Sequence, residues 1–353
     1  MSLKAPFPYF GGKATVTSLV WQRIGTVRNY VEPFFGSGAV LLGRPDPIDG
    51  AETVNDLDGM LANFWRALQH NPGAVADYAD WPVNEVDLYA RHQWLIAHKP
   101  SIIRRLRDDP EWFDVKSAGW WVWGISQWIG NGWCDASNEA EERLPSLDRG
   151  GRGTHRRRPY LGGGGQGVNA TDLAGRHVHL GRPYNVHAEG VHRAGGRSRP
   201  HLWGQGMGIH DTKHRDSLHD YFAALAQRLR HVRVCSGDWS RVCGPTPTHF
   251  HGTTGVFLDP PYNADRNKKL YNEDADGVSQ RVTRWCLEMG QRDDMRIVLA
   301  GYEGEHDLPD WDCVPWAAMG GYGRRTKGKG WENRLLERLW CSPACVEPAP
   351  TLF

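Results

Sequence analysis

Short apolar runs alternate with helically spaced apolar residues at both ends of this chain. The runs are bounded by turn residues and have the length of buried strands. Seven strands are predicted, at residues 27–31, 52–54, 232–235, 255–258, 296–300, 312–316 and 334–340. Helical spacing predicts helices between them, at residues 39–42, 58–68, 217–229 and 280–289. This alternation favours an α/β fold with a doubly wound sheet.

The middle of the chain follows a different pattern. Residues 72–133 keep helical spacing, with amphipathic stretches at 86–98 and 102–106. A Trp-rich stretch with few charges predicts a buried helix at residues 120–129. No predicted strand alternates with these helices, so we expect a helical subdomain.

Residues 135–210 are rich in Gly, Arg and His and too poor in apolar residues for a large core. Long loops are expected there, with a hairpin near residues 178–191. Between Arg149 and Arg215 the chain has twelve Lys or Arg and three Asp or Glu, a net charge of +9. Because the whole chain carries only +1, the remainder carries about −8. The asymmetry favours a polyanion-binding segment, although a solvated basic loop fits the charge equally well.

This organisation predicts one domain interrupted by an insertion. Residues 1–71 and 217–353 are expected to fold together, and residues 72–216 to form the insertion. The composition, with 40% hydrophobic and 24% charged residues, is that of a globular protein. No run approaches the roughly 20 apolar residues that span a bilayer, and the first residues lack the apolar core of a secretory signal, so a cytoplasmic protein is expected.

The seven cysteines are scattered, which argues against a disulfide framework. Cys341 and Cys345 stand close together, as do His249 and His251, but no second cluster at zinc spacing accompanies them. Ordinary buried thiols are the favoured interpretation, and no metal site is predicted.

A glycine-rich turn follows the first predicted strand. It has the sequence Glu32-Pro33-Phe34-Phe35-Gly36-Ser37-Gly38. Glycines let the backbone turn sharply and approach a ligand closely, so a nucleotide-like cofactor could bind there. Asp56, after the second strand, could bind ribose hydroxyls, or it could cap the next helix, and both roles can coexist.

A more specific motif, Asp259-Pro260-Pro261-Tyr262, follows the strand at residues 255–258. The two prolines make a rigid turn and remove two N–H donors. A carboxylate and a carbonyl at this sheet edge would suit an exocyclic amine, which has two N–H donors. Tyr262 offers a ring on which a base could stack. The structural alternative is a Pro-rich loop with a capping Asp.

Two weaker motifs accompany these. Tyr9-Phe10-Gly11-Gly12-Lys13 could bring a lysine to a carboxylate or phosphate, but it lacks the P-loop pattern. Asp238 and Trp239 follow the strand at residues 232–235 and could hold and stack a purine, or could form a turn with a packed Trp.

Taken in their order along the chain, the four motifs resemble those of the Dam-like (alpha group) N6-adenine DNA methyltransferases. The resemblance covers most of residues 6–70 and 217–342. It implies a Rossmann-like fold with a mixed seven-stranded sheet, interrupted by a helical and loop-rich target-recognition insertion. It also implies methyl transfer from S-adenosyl-L-methionine to the N6 amine of an adenine flipped out of double-stranded DNA.

The same resemblance implies roles for individual residues. The predicted catalytic residues are Asp259, Pro260, Pro261 and Tyr262. The predicted donor-binding residues are Tyr9, Lys13, Glu32, Pro33, Phe34, Gly36, Gly38, Asp56, Asp238 and Trp239, where Trp239 replaces the family's usual Phe. The predicted phosphate-binding residues are Arg152, Arg156, Arg157, Arg158, Arg193, Arg197 and Arg199. Double-stranded DNA is the expected partner, and a monomer without an obligatory protein partner is expected.

Three alternatives accompany this interpretation. Cytosine-N4 methyltransferases hold the same kind of amine, but Ser-Pro-Pro-Tyr is commoner among them, so Asp259 favours adenine. A non-catalytic nucleic-acid-binding relic would be expected to have lost part of the motif set, which is intact here. An oxidoreductase is disfavoured because GxGxxG is missing. The sequence leaves open whether the enzyme is solitary, phage-borne or part of a restriction-modification system.

Overall fold

The computed structural model describes residues 3–9, 13–45, 50–109, 111–128, 133–134, 212–262, 277–316 and 336–347. Its strands are β1 (Asn29–Glu32), β2 (Ala51–Asp56), β3 (Val232–Ser236), β4 (Thr254–Leu258), β5 (Met295–Tyr302), β6 (Asp312–Pro315) and β7 (Glu337–Cys341). Its helices are α1 (Thr17–Ile24), α2 (Ala39–Leu42), α3 (Gly59–His70), α4 (Pro72–Ala79), α5 (Glu85–Asp108), α6 (Val115–Gln127), α7 (Thr212–Leu229), α8 (Pro245–His249) and α9 (Val278–Met289). A 3-10 helix covers Trp239–Val242.

The strands form one mixed seven-stranded sheet in the order β3-β2-β1-β4-β5-β7-β6. The first five positions in this order are parallel, and β7 runs antiparallel to both β5 and β6. Every residue of β1 and β4 is buried, as expected for central parallel strands that are covered on both faces. The edge strands β3 and β6 are largely accessible instead. The predicted α/β fold with a mixed seven-stranded sheet is confirmed.

The sheet order places β1 and β4 side by side, although most of the chain separates them in sequence. From β1 the chain first builds outward through β2 to β3, and it then returns to add β4 and β5 on the other side. In open α/β sheets, ligands bind beyond the carboxyl ends of the strands at such a reversal. The turn after β1 and the turn after β4 therefore meet at one edge of the sheet.

The described residues divide into two compact units. The first contains the sheet and comprises Met1–Ala5, Tyr9–Ala62 and Arg228–Phe353, and the second comprises Pro6–Pro8 and Asn63–Gln227. The domain boundaries proposed from the sequence remain predictions. In the second unit Phe7 packs edge-on against Phe64 and Trp121, with ring centroids 5.5 and 5.1 Å apart. Aromatic packing of this kind stabilises a helical core.

Helix boundaries differ from the sequence pattern in two places. The amphipathic stretches at 86–98 and 102–106 belong to a single helix, α5, which continues through Pro100. The Trp-rich helix predicted at residues 120–129 is α6, and it begins at Val115 because the Asp114 side chain caps it by accepting from the Ser117 N–H. The hairpin predicted near residues 178–191 lies outside the described residues.

Candidate active site

The turn after β1 is shaped by two glycines in left-handed conformation. Gly36 has φ of 48° and Gly38 has φ of 70°, values that residues with a side chain rarely adopt. A Cβ on Gly36 would lie 2.8 Å from the Tyr9 ring, and one on Gly38 would lie 2.7 Å from the Phe35 ring. The turn thus packs against aromatic rings too closely to admit a larger residue, and it leads directly into α2.

Asp56, at the end of β2, holds this turn in place. Its Oδ2 accepts a hydrogen bond from the Gly36 N–H at 2.9 Å, and its Oδ1 accepts one from the Asp58 N–H at 3.0 Å. The bond that caps the start of α3 comes instead from Asp58, whose Oδ1 accepts from the Met60 N–H at 2.9 Å. Burial raises the pKa of the Asp56 carboxyl to about 7, against the opposing effect of the two backbone N–H donors.

Glu32 begins the same turn and is buried. Its Oε2 accepts from the Tyr30 hydroxyl at 3.0 Å and from the Leu41 N–H at 3.2 Å. Burial raises the pKa of Glu32 well above its usual range, and the nearby charge of Asp259 acts in the same direction. Pro33, which follows it, accepts through its carbonyl from the Asn55 side chain at 3.1 Å. The turn is therefore anchored on both sides.

Phe34, in the turn after β1, forms an aromatic pair with Trp239, which follows β3. The rings of Phe34 and Trp239 are stacked, with centroids 6.2 Å apart and planes at 28°. Trp239 is buried, and its Nε1 has no hydrogen-bond partner within the part of the chain that is described. Asp238 caps the 3-10 helix by accepting from the Ser240 N–H and forms an ion pair with Arg281 at 3.1 Å. Both proposed roles for this pair of residues, packing and purine contact, are compatible with these positions.

The Asp259-Pro260-Pro261-Tyr262 turn directly follows β4 and is tied to Lys13. Nζ of Lys13 lies 2.8 Å from Oδ1 of Asp259, and the Lys13 side chain is only 4% exposed. Burial raises the pKa of Asp259, whereas the ammonium group of Lys13 acts to lower it. Lys13 thus contacts the carboxylate that the sequence assigns to catalysis, and its assignment to donor binding remains a prediction.

The Tyr262 ring is buried, whereas a ring on which a base stacks has an accessible face. Its side chain is buried, its ring packs edge-on against Tyr302 at 4.6 Å, and the ammonium group of Lys13 lies 5.3 Å from its centroid. Its hydroxyl lies 3.2 Å from Oδ1 of Asp259 and 3.1 Å from Oε2 of Glu337. The hydroxyl therefore joins two carboxyl groups.

Glu337 was not identified from the sequence. It begins β7, it is buried, and the register pairs it with Tyr302 of β5. Burial raises its pKa to about 7; the charges of Asp259 and Glu305 act in the same direction, and Lys13 opposes them. A glutamate within the predicted closing strand at residues 334–340 was the available signal, because a charged residue is seldom buried without a partner.

The structure thus brings together Lys13, Asp259 and Tyr262 at one end of the sheet, and it places Tyr9 against the glycine turn. The seven arginines predicted to contact phosphate lie outside the described residues. Residues 9–98 match the sequence model of the D12 class N6 adenine-specific DNA methyltransferase family. Over this quarter of its length, the chain is similar to that enzyme family.

The methyltransferase match contains Tyr9, Lys13, the glycine turn and Asp56, and it continues into α5. The Asp259-Pro260-Pro261-Tyr262 motif lies outside the matched stretch, and its catalytic assignment remains a prediction. A search of curated proteins finds no match. The mixed seven-stranded sheet is consistent with the fold of methyltransferases that use S-adenosylmethionine.

The remaining candidate chemistry of the chain lies in its cysteines. Cys341 and Cys345 are buried free thiols, and Sγ of Cys345 lies 3.3 Å from the Ile297 carbonyl. Among the described residues, no three His, Cys, Asp or Glu side chains are grouped as metal ligands would be. None of the helices in the described ranges has the length and apolar character needed to cross a bilayer.

Proposed function

We propose that this enzyme transfers a methyl group from S-adenosylmethionine to N6 of an adenine that has been flipped out of double-stranded DNA. The observation that carries the proposal is the adjacency of β1 and β4, which brings the glycine turn and Asp259 to the same sheet edge. A donor held at the first turn would present its methyl group toward an amine held at the second.

The residues around the first turn fit such a donor. Gly36 and Gly38 give the turn a left-handed backbone that lets it bend sharply at the end of β1, where a ligand could approach the main chain. The unpartnered Nε1 of buried Trp239 offers a hydrogen-bond donor beside the Phe34 ring. The proposed donor site comprises Tyr9, Lys13, Glu32, Pro33, Phe34, Gly36, Gly38, Asp56, Asp238 and Trp239. When bound there, S-adenosylmethionine supplies a methyl group already activated by its sulfonium.

Asp259 holds the target amine in this proposal. An ionised carboxylate accepts an N–H from adenine N6, and the carbonyl of Pro260 accepts the second. These bonds favour a nitrogen whose lone pair is directed at the methyl group. Lys13 favours the ionised form of Asp259, since its ammonium group opposes the effect of burial, which raises the pKa of this carboxyl. Preorganised acceptors and positioning supply most of the rate acceleration.

Access to N6 requires that the adenine leave the duplex. Unstacking and unpairing a base cost a few kcal/mol, and stacking on an aromatic side chain returns about 1–3 kcal/mol per base. Tyr262 is the proposed partner for stacking, and its ring must become more accessible than it is here for that role. The arginines between Arg152 and Arg199 are proposed to bind phosphates, which position the duplex without selecting its sequence.

Nucleoside analysis tests the proposal directly. The purified enzyme is incubated with unmethylated plasmid DNA and S-adenosylmethionine carrying a labelled methyl group, and the DNA is digested to nucleosides for mass spectrometry. Label in N6-methyladenine is the expected result. Label in N4-methylcytosine would overturn the choice of base. Calorimetry with the donor alone completes the test, because a relic that binds DNA but neither binds nor uses the donor would contradict the catalytic assignment.

A further inference from the structure

Three neighbouring strands place a chain of acidic groups at the end of the sheet. Asp259 follows β4, Tyr302 ends β5 and Glu337 begins β7, and these strands are adjacent in the order β4-β5-β7. The Tyr262 ring packs on Tyr302, which directs its hydroxyl between Asp259 and Glu337. The Tyr262 hydroxyl therefore connects the carboxyl groups of Asp259 and Glu337 at distances of 3.2 and 3.1 Å.

The number of hydrogens available restricts the protonation states of Asp259, Tyr262 and Glu337. A phenol has one hydrogen and cannot donate to two carboxylates at the same time. When Tyr262 donates to Glu337, its oxygen can accept from a protonated Asp259. When it donates to Asp259, its oxygen can accept from a protonated Glu337. The two arrangements interconvert when both protons shift along the hydrogen bonds, which transfers one proton net between Asp259 and Glu337, as a proton relay requires.

We propose that Glu337 is a positioning residue of the methyl-transfer reaction, acting through Tyr262 to receive the proton that leaves the methylated amine by way of Asp259. The inference rests on the proposed function. Once the N–C bond has formed, N6 is cationic and an N–H bond breaks toward the Asp259 carboxylate. Asp259 then passes a proton to the Tyr262 oxygen as the original Tyr262 hydrogen moves to Oε2 of Glu337. Asp259 is again ionised, and Glu337 is protonated until it exchanges with solvent.

The surroundings of Glu337 suit this role. The groups that face it are Lys13, which favours the ionised form, Asp259 and Glu305, which disfavour it, and the Tyr262 hydroxyl, which hydrogen-bonds it. With burial, they raise its pKa to about 7. The neighbouring Arg338 is directed elsewhere, since it donates to the Glu337 backbone carbonyl and pairs with Glu303 at 2.7 Å. At neutral pH the carboxyl group can therefore both take up and release a proton.

The test compares Glu337→Gln with the wild type and with Glu303→Gln, a matched change at an exposed glutamate nearby. The single-turnover rate of transfer to plasmid DNA is measured from pH 5 to 9, with donor affinity measured in parallel. The wild-type rate should fall on the acid side with an apparent pKa near 7. Glu337→Gln should lower the rate at pH 8 by about 10²-fold and lose that limb, while donor affinity changes less than about twofold.

Two further arms make the result decisive. Tyr262→Phe should lose the same acid limb, and the double variant should be no slower than the slower single one, because both changes break one chain. Infrared difference spectra without DNA should show protonated-carboxyl absorption that titrates near pH 7 in the wild type; Glu337→Gln should lose part of it and keep the part that belongs to Asp56.

The failures are distinguishable. If a folded Glu337→Gln variant methylated DNA with the rate and pH profile of the wild type, the relay alone would be overturned. Carboxyl absorption that titrates identically in the wild type and in Glu337→Gln would do the same. If the wild type bound the donor but methylated no DNA under any condition, both the proposed function and the relay would fall.

Discussion

The ammonium group of Lys13 lies 2.8 Å from the carboxylate of Asp259, and both side chains sit at the end of the sheet where β1 and β4 meet. Lys13 is almost wholly buried, so little solvent is available to stabilise the remaining charge if one partner of the ion pair is removed. The catalytic turn and the N-terminal Gly-Gly-Lys motif are thus coupled through one ion pair.

Replacing Lys13 with Met should therefore act on Asp259. The ammonium group lowers the pKa of both Asp259 and Glu337, so without it both pKa values rise further and the acid limb of the methylation rate should move to higher pH. The free energy of unfolding at pH 8 should fall by about 2 kcal/mol, because a buried charge loses its partner. Urea denaturation of Lys13→Met, Asp259→Asn and the double variant measures the coupling. Strictly additive losses would show that the ion pair contributes nothing.

Asp259→Asn should separate chemistry from binding. The variant keeps the shape of the side chain but not the charge that holds the amine, so the methylation rate should fall by at least about 10²-fold. Donor affinity, measured by calorimetry, should stay within a few fold of the wild-type value. Asp310→Asn, at an exposed position in the same unit, serves as the control and should retain full activity. Substantial turnover by Asp259→Asn would contradict the catalytic assignment.

Much of this site could be predicted from the sequence because its parts are local. Central parallel strands are continuous apolar runs, and the motifs at their ends reach the sheet edge wherever the strands lie in the sheet. Asp259 and the glycine turn were found for that reason. Glu337 was missed because its contact with Tyr262 depends on β7 lying beside β5. Nothing in the apolar pattern of residues 334–340 specifies which strand they pair with.

The sequence indicated that Lys13 could reach a carboxylate or a phosphate, but it left the partner open for a related reason. A lysine after two glycines can reach in several directions, and only the packed structure selects Asp259. The enclosure of Tyr262 likewise depends on Tyr302, which the sequence does not connect to it. The hydrophobic pattern of the sequence does not predict which side chains from distant segments contact each other.

Gly36→Ala should damage the turn, whereas Gly73→Ala should not. The alanine at position 36 would be strained at φ of 48°, and its Cβ would lie 2.8 Å from the Tyr9 ring. A loss of roughly 1–2 kcal/mol in the free energy of unfolding is expected, with at least about tenfold weaker donor binding. A Cβ at Gly73, in α4, meets nothing within 4 Å. Equal effects at the two positions would show that the turn is not specifically constrained.

Glu337 should also make stability depend on pH. Its pKa of about 7 in the folded state exceeds the value of about 4.3 in an unfolded chain. Between these values the folded state retains a proton that the unfolded state has lost, so stability falls as pH rises. The stability of the wild type relative to Glu337→Gln should therefore decline from pH 4 to pH 7 and level off above. Glu303→Gln should show no such trend, and a rising difference would contradict the assignment.

The basic insertion should determine how DNA affinity responds to salt. Changing Arg156, Arg157 and Arg158 together to Ala should reduce the slope of log affinity against log salt by up to about 3, since each lost phosphate contact reduces it by about 1. Lysine at all three positions keeps the charge and should keep most of the slope. Fluorescence anisotropy with a labelled duplex at several salt concentrations measures both. An unchanged slope in the Ala variant would identify this run as a solvated loop.

The central position of β4 has a consequence for biosynthesis. Strands β1 and β2 leave the ribosome early, but the strand that pairs with the other edge of β1 follows only after about 200 more residues. At 5–20 residues per second, that edge waits roughly 10–40 s for its neighbour. Because exposed apolar strand edges pair readily with other chains, the free edge of β1 is a site at which the nascent protein can associate with other chains during this interval.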